Sequence, residues 1–146
     1  MAESLSKTSS RRDVEELVEM ARQARERAYA PYSRFRVGAA LETEDGRVFE
    51  GCNVENASFS VTVCAERVAL GSAVVAGARR FTRVAIVTGA DRPTPPCGMC
   101  RQALSEFGLD LEVVSVTEGG ARSEWPLRSL LPEHFALQER PAEGEA

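Results

Sequence analysis

Three cysteines and one glutamate carry the chemistry that this sequence offers. Cys97-Gly98-Met99-Cys100 is a C-x-x-C pair. At the first turn of a helix, that spacing sets two sulfurs on one side with backbone N–H groups nearby, which favours thiolate over thiol. Redox pairs and structural zinc sites share this pattern. Cys64-Ala65-Glu66 adds a third thiol and, two residues on, a carboxylate that is not needed as a ligand. Three protein ligands leave the fourth tetrahedral position of Zn²⁺ open to water, which is the arrangement of catalytic zinc. Zinc lowers the pKa of such a water from about 15.7 to roughly 7, so the chemistry implied is hydrolysis. Glu66 would then move protons as general acid–base, although a first-turn glutamate also complements a helix dipole.

Three thiolates against Zn²⁺ leave a net charge of −1, which opposes acidification of the water. Arg67 would offset this by hydrogen bonding to a ligand sulfur; outside such a motif it reads as an exposed helix residue. Cys52 is a fourth thiol. It is either a buried free cysteine or the fourth ligand of a closed, purely structural zinc site. A redox role for Cys97 and Cys100 leaves Cys64 and Glu66 without a task.

The surrounding elements are legible from period and punctuation. Val14, Leu17, Val18, Ala21, Ala24 and Ala28 recur at helical spacing from Arg12 to about Ala28, with Ser9 or Ser10 as cap and Pro31 beyond the end. Phe35, Val37, Ala39 and Leu41 follow strand alternation. Asp45-Gly46 signals a hairpin that returns along Arg47 to Cys52. A loop then leads to a helix from Cys64 to about Ala76, closed by Gly77. Phe81 to Thr88 reads as a buried strand, Cys97 to about Phe107 as a helix stopped by Gly108, and Leu111 to Val116 as a strand. Glu118-Gly119-Gly120 turns the chain back into a fifth strand, roughly Ala121 to Leu127. This order implies an α/β sandwich of three-layer type, with one mixed five-stranded sheet and helices packed on it. Both cysteine segments fall at helix N-termini.

The 146 residues read as one domain, 1–146, with loose tails at about 1–10 and 138–146. A hydrophobic content of 43% and a charged content of 27% are those of an ordinary globular chain. The formal charge of −4 argues against a polynucleotide partner, which needs a track of Lys and Arg. Arg22, Arg25 and Arg27 alternate with Glu19 and Glu26 as a solvated helix face does. No stretch approaches the roughly 20 apolar residues of a membrane span, and the first ten residues lack the apolar centre of a secretory signal. A cytoplasmic location with reduced thiols is the resulting expectation.

Cys64-Ala65-Glu66 with Pro96-Cys97-Gly98-Met99-Cys100 is similar to the signature of zinc nucleobase deaminases, with Cys in place of His. The chain as a whole resembles the cytidine deaminase family, in its small, three-cysteine, homotetrameric branch. The likeness extends from about Ala30 to Phe135. It rests also on Pro31-Tyr32-Ser33-Arg34-Phe35-Arg36-Val37-Gly38-Ala39-Ala40-Leu41, on Asn53-Val54-Glu55-Asn56-Ala57-Ser58 and on Leu130-Leu131-Pro132-Glu133-His134-Phe135. The resemblance implies hydrolytic deamination of cytidine and deoxycytidine, one zinc per chain, and a place in pyrimidine nucleoside salvage. It implies that Phe35 packs against the pyrimidine and that Asn53 and Glu55 bind ribose hydroxyls. The N–H of Ala65 would hold the base carbonyl, and Phe135 would reach a neighbouring subunit's site within a homotetramer. From the residues alone, Phe35 is also a plausible core residue, Asn53 and Glu55 plausible turn residues, and Phe135 a plausible anchor for the tail. Phe59 departs from the family, where a tyrosine is usual. His134, the only histidine, is expected to be solvated, and Trp125 to pack.

Overall fold

The computed structural model describes residues 12–139. The caps expected at Ser9 or Ser10 and most of both tails lie outside that range. Gln138 and Glu139, at the start of the expected C-terminal tail, are exposed irregular chain. Helix α1 spans Val14–Arg25 and is capped by Asp13, whose carboxylate accepts from the Glu15 N–H. It ends three residues before the expected Ala28. The N–H groups of Arg27 and Ala28 turn to the carbonyls of Ala24 and Arg25, tightening the last turn. Tyr29 then leaves in extended form to bridge Val54.

Five strands follow the expected order: β1 Val37–Thr43, β2 Val48–Cys52, β3 Phe81–Thr88, β4 Glu112–Thr117 and β5 Arg122–Pro126. Helix α2 (Ala65–Val75) links β2 to β3, and α3 (Gly98–Ser105) links β3 to β4. A 3-10 turn at Phe59–Val61 and a short helix α4, Leu127–Leu130, were not anticipated. The sheet order is β2-β1-β3-β4-β5. Only β3 and β4 run parallel; the other three pairings are antiparallel. A parallel pair requires a crossover, which α3 supplies.

Two apolar layers form on the sheet. Leu17, Val18 and Ala21 of α1 cover Ala40, Ala85, Val87, Val114 and Val116. On the other face, Ala65, Ala69, Leu70 and Ala73 of α2 and Leu104 of α3 cover Ala39, Leu41, Val84, Ile86 and Val113. The result is a three-layer α/β/α sandwich. With both faces covered, six of the seven β1 residues are buried, and the alternation expected there is absent. It survives on the edge strand β5.

Two glycines set the helix distances. A Cβ at Gly38 would lie 2.0 Å from the Ala21 carbonyl oxygen on α1, and one at Gly51 would lie 2.2 Å from that of Ala65 on α2. Each helix therefore rests directly on strand backbone. The second approach is the one that brings the start of α2 against the sheet.

Candidate metal centre and substrate cavity

The chain before α2 is held by a small ladder. Val54 and Val63 exchange N–H···O bonds at 2.9 and 3.0 Å, and Tyr29 accepts from Glu55 N–H at 2.9 Å. Cys64 follows as the N-cap of α2, and Cys97 occupies the same place on α3; neither makes a side-chain capping bond. Both sulfurs thus sit at helix N-termini, where positive backbone dipoles converge, without being spent on capping bonds. Cys100 lies in the first turn of α3 and is fully buried.

The three sulfurs lie within 4.8 Å of one another, and among the described residues they form the one cluster suited to a metal ion. Cys64 Sγ and Cys97 Sγ are 3.7 Å apart. Tetrahedral zinc with Zn–S bonds near 2.3 Å requires about 3.8 Å between sulfurs, so this donor set fits zinc. Cys64 is held as a thiolate, its pKa lowered to about 5, by the hydrogen bond from Cys100, which outweighs burial; Arg67 adds to the effect. Cys100 is pushed in the opposite direction by donating to Cys64, by burial and by the charge of Glu66. Metal binding would release the thiol protons that remain. Arg67 Nη2 donates to the Thr62 carbonyl at 3.2 Å and reaches Cys64 Sγ at 3.9 Å. Cys52 stands apart from the cluster, its thiol on the Arg27 carbonyl at 3.6 Å.

Beside the sulfurs lies a cavity of about 220 Å³, walled by Cys64, Ala65, Glu66 and Cys97 on one side and by Phe35, Val37, Asn53 and Ile86 among the rest. Glu66 is only 5% exposed. Burial raises its carboxyl above the usual range; the hydrogen bond from its own backbone N–H opposes this without reversing it, and the charge of Cys64 adds to the rise. Ala65 begins α2, so its N–H has no acceptor within the helix.

The other expected residues are engaged in ways that the sequence did not announce. Asn53 Nδ2 donates to the Phe35 carbonyl at 2.8 Å, and its Oδ1 accepts from Val37 N–H at 2.9 Å. It therefore holds the cavity rim, with one amide hydrogen and one lone pair left over. Phe35 precedes β1 rather than lying in it, and is 39% exposed at the cavity. Glu55 is buried but does not line the cavity. Its carboxylate accepts from the N–H groups of Tyr32 and Ser33 at 3.0 and 3.2 Å and from the Ser33 hydroxyl. The Ser33 hydroxyl, chiefly, keeps it ionised below its ordinary pKa. Phe135 is exposed and lies outside the cavity wall of its own chain. Phe59 is exposed and meets Tyr32 edge-on at 5.8 Å. His134 is exposed, and Trp125 packs against the α2-side core.

Sequence reasoning missed Thr88 and Thr94, which join the wall with their hydroxyls 2.9 Å apart. The available signal was position: Thr88 closes β3, and ligands of α/β sheets gather at the carboxyl ends of strands.

Fold and site together define a metal-binding α/β sandwich in which a buried carboxyl shares a cavity with Cys64 and Cys97, two of the three clustered cysteines. Residues 11–117 match the family model of the cytidine and deoxycytidylate deaminase zinc-binding region, and the chain belongs to that family. It is 44% identical over 128 residues to a cytidine deaminase of Sporosarcina psychrophila, spanning 87% of this chain and 94% of the relative. The structure of cytidine deaminase from Burkholderia pseudomallei superposes with a TM-score of 0.83 at 50% identity, covering 85% of this chain and all of that one. The Mycobacterium tuberculosis enzyme superposes at 0.75 and 41% identity, over 86% and 99% of the two chains. No helix among the described residues is long and apolar enough to cross a membrane.

Proposed function

We propose that this chain is a zinc-dependent cytidine deaminase, converting cytidine and deoxycytidine to uridine and deoxyuridine with release of ammonia, in pyrimidine nucleoside salvage. The observation that carries the reading is the buried Glu66 carboxyl on the same cavity wall as Cys64 and Cys97. Cys64, Cys97 and Cys100 would hold the zinc, which when bound would make water acidic enough to react near neutral pH. Glu66, with its proton affinity raised by burial, would take a proton from the attacking water and pass it to the pyrimidine ring nitrogen as the C–O bond forms at C4; it would then pass the water's second proton to the amine as the C4–N bond breaks and ammonia leaves. Arg67 steadies Cys64 and balances the charge of three thiolates.

The remaining residues orient the nucleoside. Ala65 N–H binds the base carbonyl, and Phe35 packs against the ring. Asn53 offers its spare hydrogen and lone pair to a ribose hydroxyl. Glu55 has three donors on roughly four acceptor positions, which leaves one for the sugar.

In this reading the active unit is a homotetramer in the cytoplasm, each chain a single domain and a shared site completed by Phe135 of a neighbouring subunit. Exposure of Phe135 at 66%, and of Tyr32 and Phe59, whose rings meet edge-on, supports an association surface. Three ligand thiolates need a reducing compartment, which supports the location.

An ultraviolet assay of zinc-quantified protein with cytidine, deoxycytidine and cytosine in parallel tests the reading. Turnover of both nucleosides but not of free cytosine, at one zinc per chain, is expected. A zinc-loaded protein that turns over none of the three would contradict it.

A further inference from the structure

Arg101 follows the buried Cys100 on α3, and its guanidinium joins two segments that are distant in sequence. Nε donates to the carbonyl of Pro96 at 2.7 Å, and Nη1 donates to the carbonyl of Leu130 at 2.9 Å. Pro96 is buried and immediately precedes Cys97, so its peptide sets the direction in which the Cys97 side chain departs. Leu130 ends α4, and the chain beyond it leads to Phe135. The next residue on α3, Gln102, donates to the Phe135 carbonyl at 2.9 Å. One turn of helix thus grips the metal-binding turn with one residue and the C-terminal segment with two. The planar fork of arginine suits two carbonyls at a fixed angle, whereas a lysine ammonium is a point charge on a flexible stem. Arg67 braces Cys64 from α2 in a comparable way, which leaves Arg101 as the guanidinium that serves Cys97.

We infer that Arg101 is a positioning residue that couples the metal-binding turn at Pro96–Cys100 to the C-terminal segment Leu130–Phe135. The inference rests on Cys64, Cys97 and Cys100 holding zinc. With the first turn of α3 fixed through Cys97 and Cys100, Arg101 is fixed as well, and the segment it holds is ordered with it. Release of the metal frees the turn and, through the same guanidinium, loosens the segment. Arg101 touches neither substrate nor metal in this account; it acts through Pro96 and Leu130.

Two measurements on the zinc-loaded full chain test this. One is zinc affinity by competition with a chromophoric chelator. The other is hydrogen exchange in residues 130–137 with zinc bound and with zinc removed. In the wild-type chain, exchange there should rise when zinc is removed. Arg101→Ala should bind zinc about 10–100-fold more weakly, the usual effect of losing a group that orients metal ligands. Its exchange in residues 130–137 should also be raised at the outset and no longer respond to zinc. Gln102→Ala should loosen the segment while leaving zinc affinity unchanged. Should Arg101→Ala fail to fold, Arg101→Lys carries the same test, since it keeps the charge and loses the fork; weakened zinc binding and a blunted zinc response are expected. Wild-type zinc affinity in a folded Arg101 variant, or a segment that still responds to zinc as in the wild type, overturns the inference. A wild-type chain that takes up no zinc overturns the functional reading and this inference together. Normal zinc uptake with unchanged Arg101 variants overturns this inference alone.

Discussion

On opposite faces of the sheet, two glutamates are withdrawn from water, and their surroundings act on them in opposite directions. Glu42, at 1% exposure on the α1 side, receives Arg83 Nε at 3.0 Å, Arg83 Nη2 and the Arg12 N–H at 3.1 Å each, and the Thr82 hydroxyl at 2.7 Å. Burial alone would raise its pKa; the hydrogen bonds from Arg83, Thr82 and Arg12 outweigh it and bring the carboxyl below its ordinary value. Glu66, on the α2 side, is buried nearly as deeply. Desolvation raises its pKa, the Cys64 charge adds to that, and its own N–H, the Cys100 thiol and Arg67 do not reverse it. A saturated carboxylate is a fixed charge that ties elements together. A carboxyl short of donors holds its proton more readily, and Glu66 lines the cavity beside Cys64 and Cys97. The α1 layer thus holds a carboxylate saturated with donors, and the α2–α3 layer holds one that burial leaves short of them.

Substitutions divide along the same line. The largest folding effect is expected for Glu42→Ala, which strands the Arg83 guanidinium in the core and should cost about 3–5 kcal/mol in urea or thermal unfolding. Zinc affinity of the folded fraction should stay as in the wild type. Because the folded pKa of Glu42 is lowered, its contribution is full above the ordinary carboxylate value of 4.5 and is lost as pH falls through the lower folded value. Glu42→Gln should flatten that part of the acid-unfolding profile, and a profile identical to the wild type's would count against the assignment.

A matched pair of glycine substitutions sharpens the contrast. Gly38→Ala drives a methyl toward α1, and Gly51→Ala drives one toward α2. Each should cost about 1–3 kcal/mol of stability through overpacking. Only Gly51→Ala should also weaken zinc binding and lower turnover, because α2 carries Cys64 and Glu66. Equal losses of zinc from both variants would show that the two layers are not separable. The smallest effect is expected for Cys52→Ser. Its thiol donates to the Arg27 carbonyl, and a hydroxyl can make the same bond, so stability should shift by no more than about 1 kcal/mol. Zinc content should remain one per chain; loss of the metal would restore the closed four-cysteine reading.

What was legible in advance was local. The helix starts at Cys64 and Cys97, the Asp45-Gly46 hairpin and every strand lie within a few residues of where period and turn chemistry place them. What was not legible depends on partners far along the chain. Glu42 and Arg83 are 41 residues apart, and nothing in either segment announces the other. The burial of both faces of β1 follows from α1 packing on it, not from β1's own alternation. Asn53 and Glu55 look like paired sugar contacts in sequence; in the fold both first serve the backbone between Tyr32 and Val37, which shapes the cavity rim. Thr88 is marked only by its place at the end of β3, and it meets Thr94 only when the loop after β3 folds back.

The most direct test of the central claim is turnover of cytidine by zinc-loaded Glu66→Ala, with the metal quantified in the same sample. The account predicts one zinc per chain, thermal stability no lower than the wild type's, and a rate reduced by about 10²–10⁴-fold, the range for loss of a general acid–base. Near-wild-type turnover in the zinc-loaded variant would contradict it.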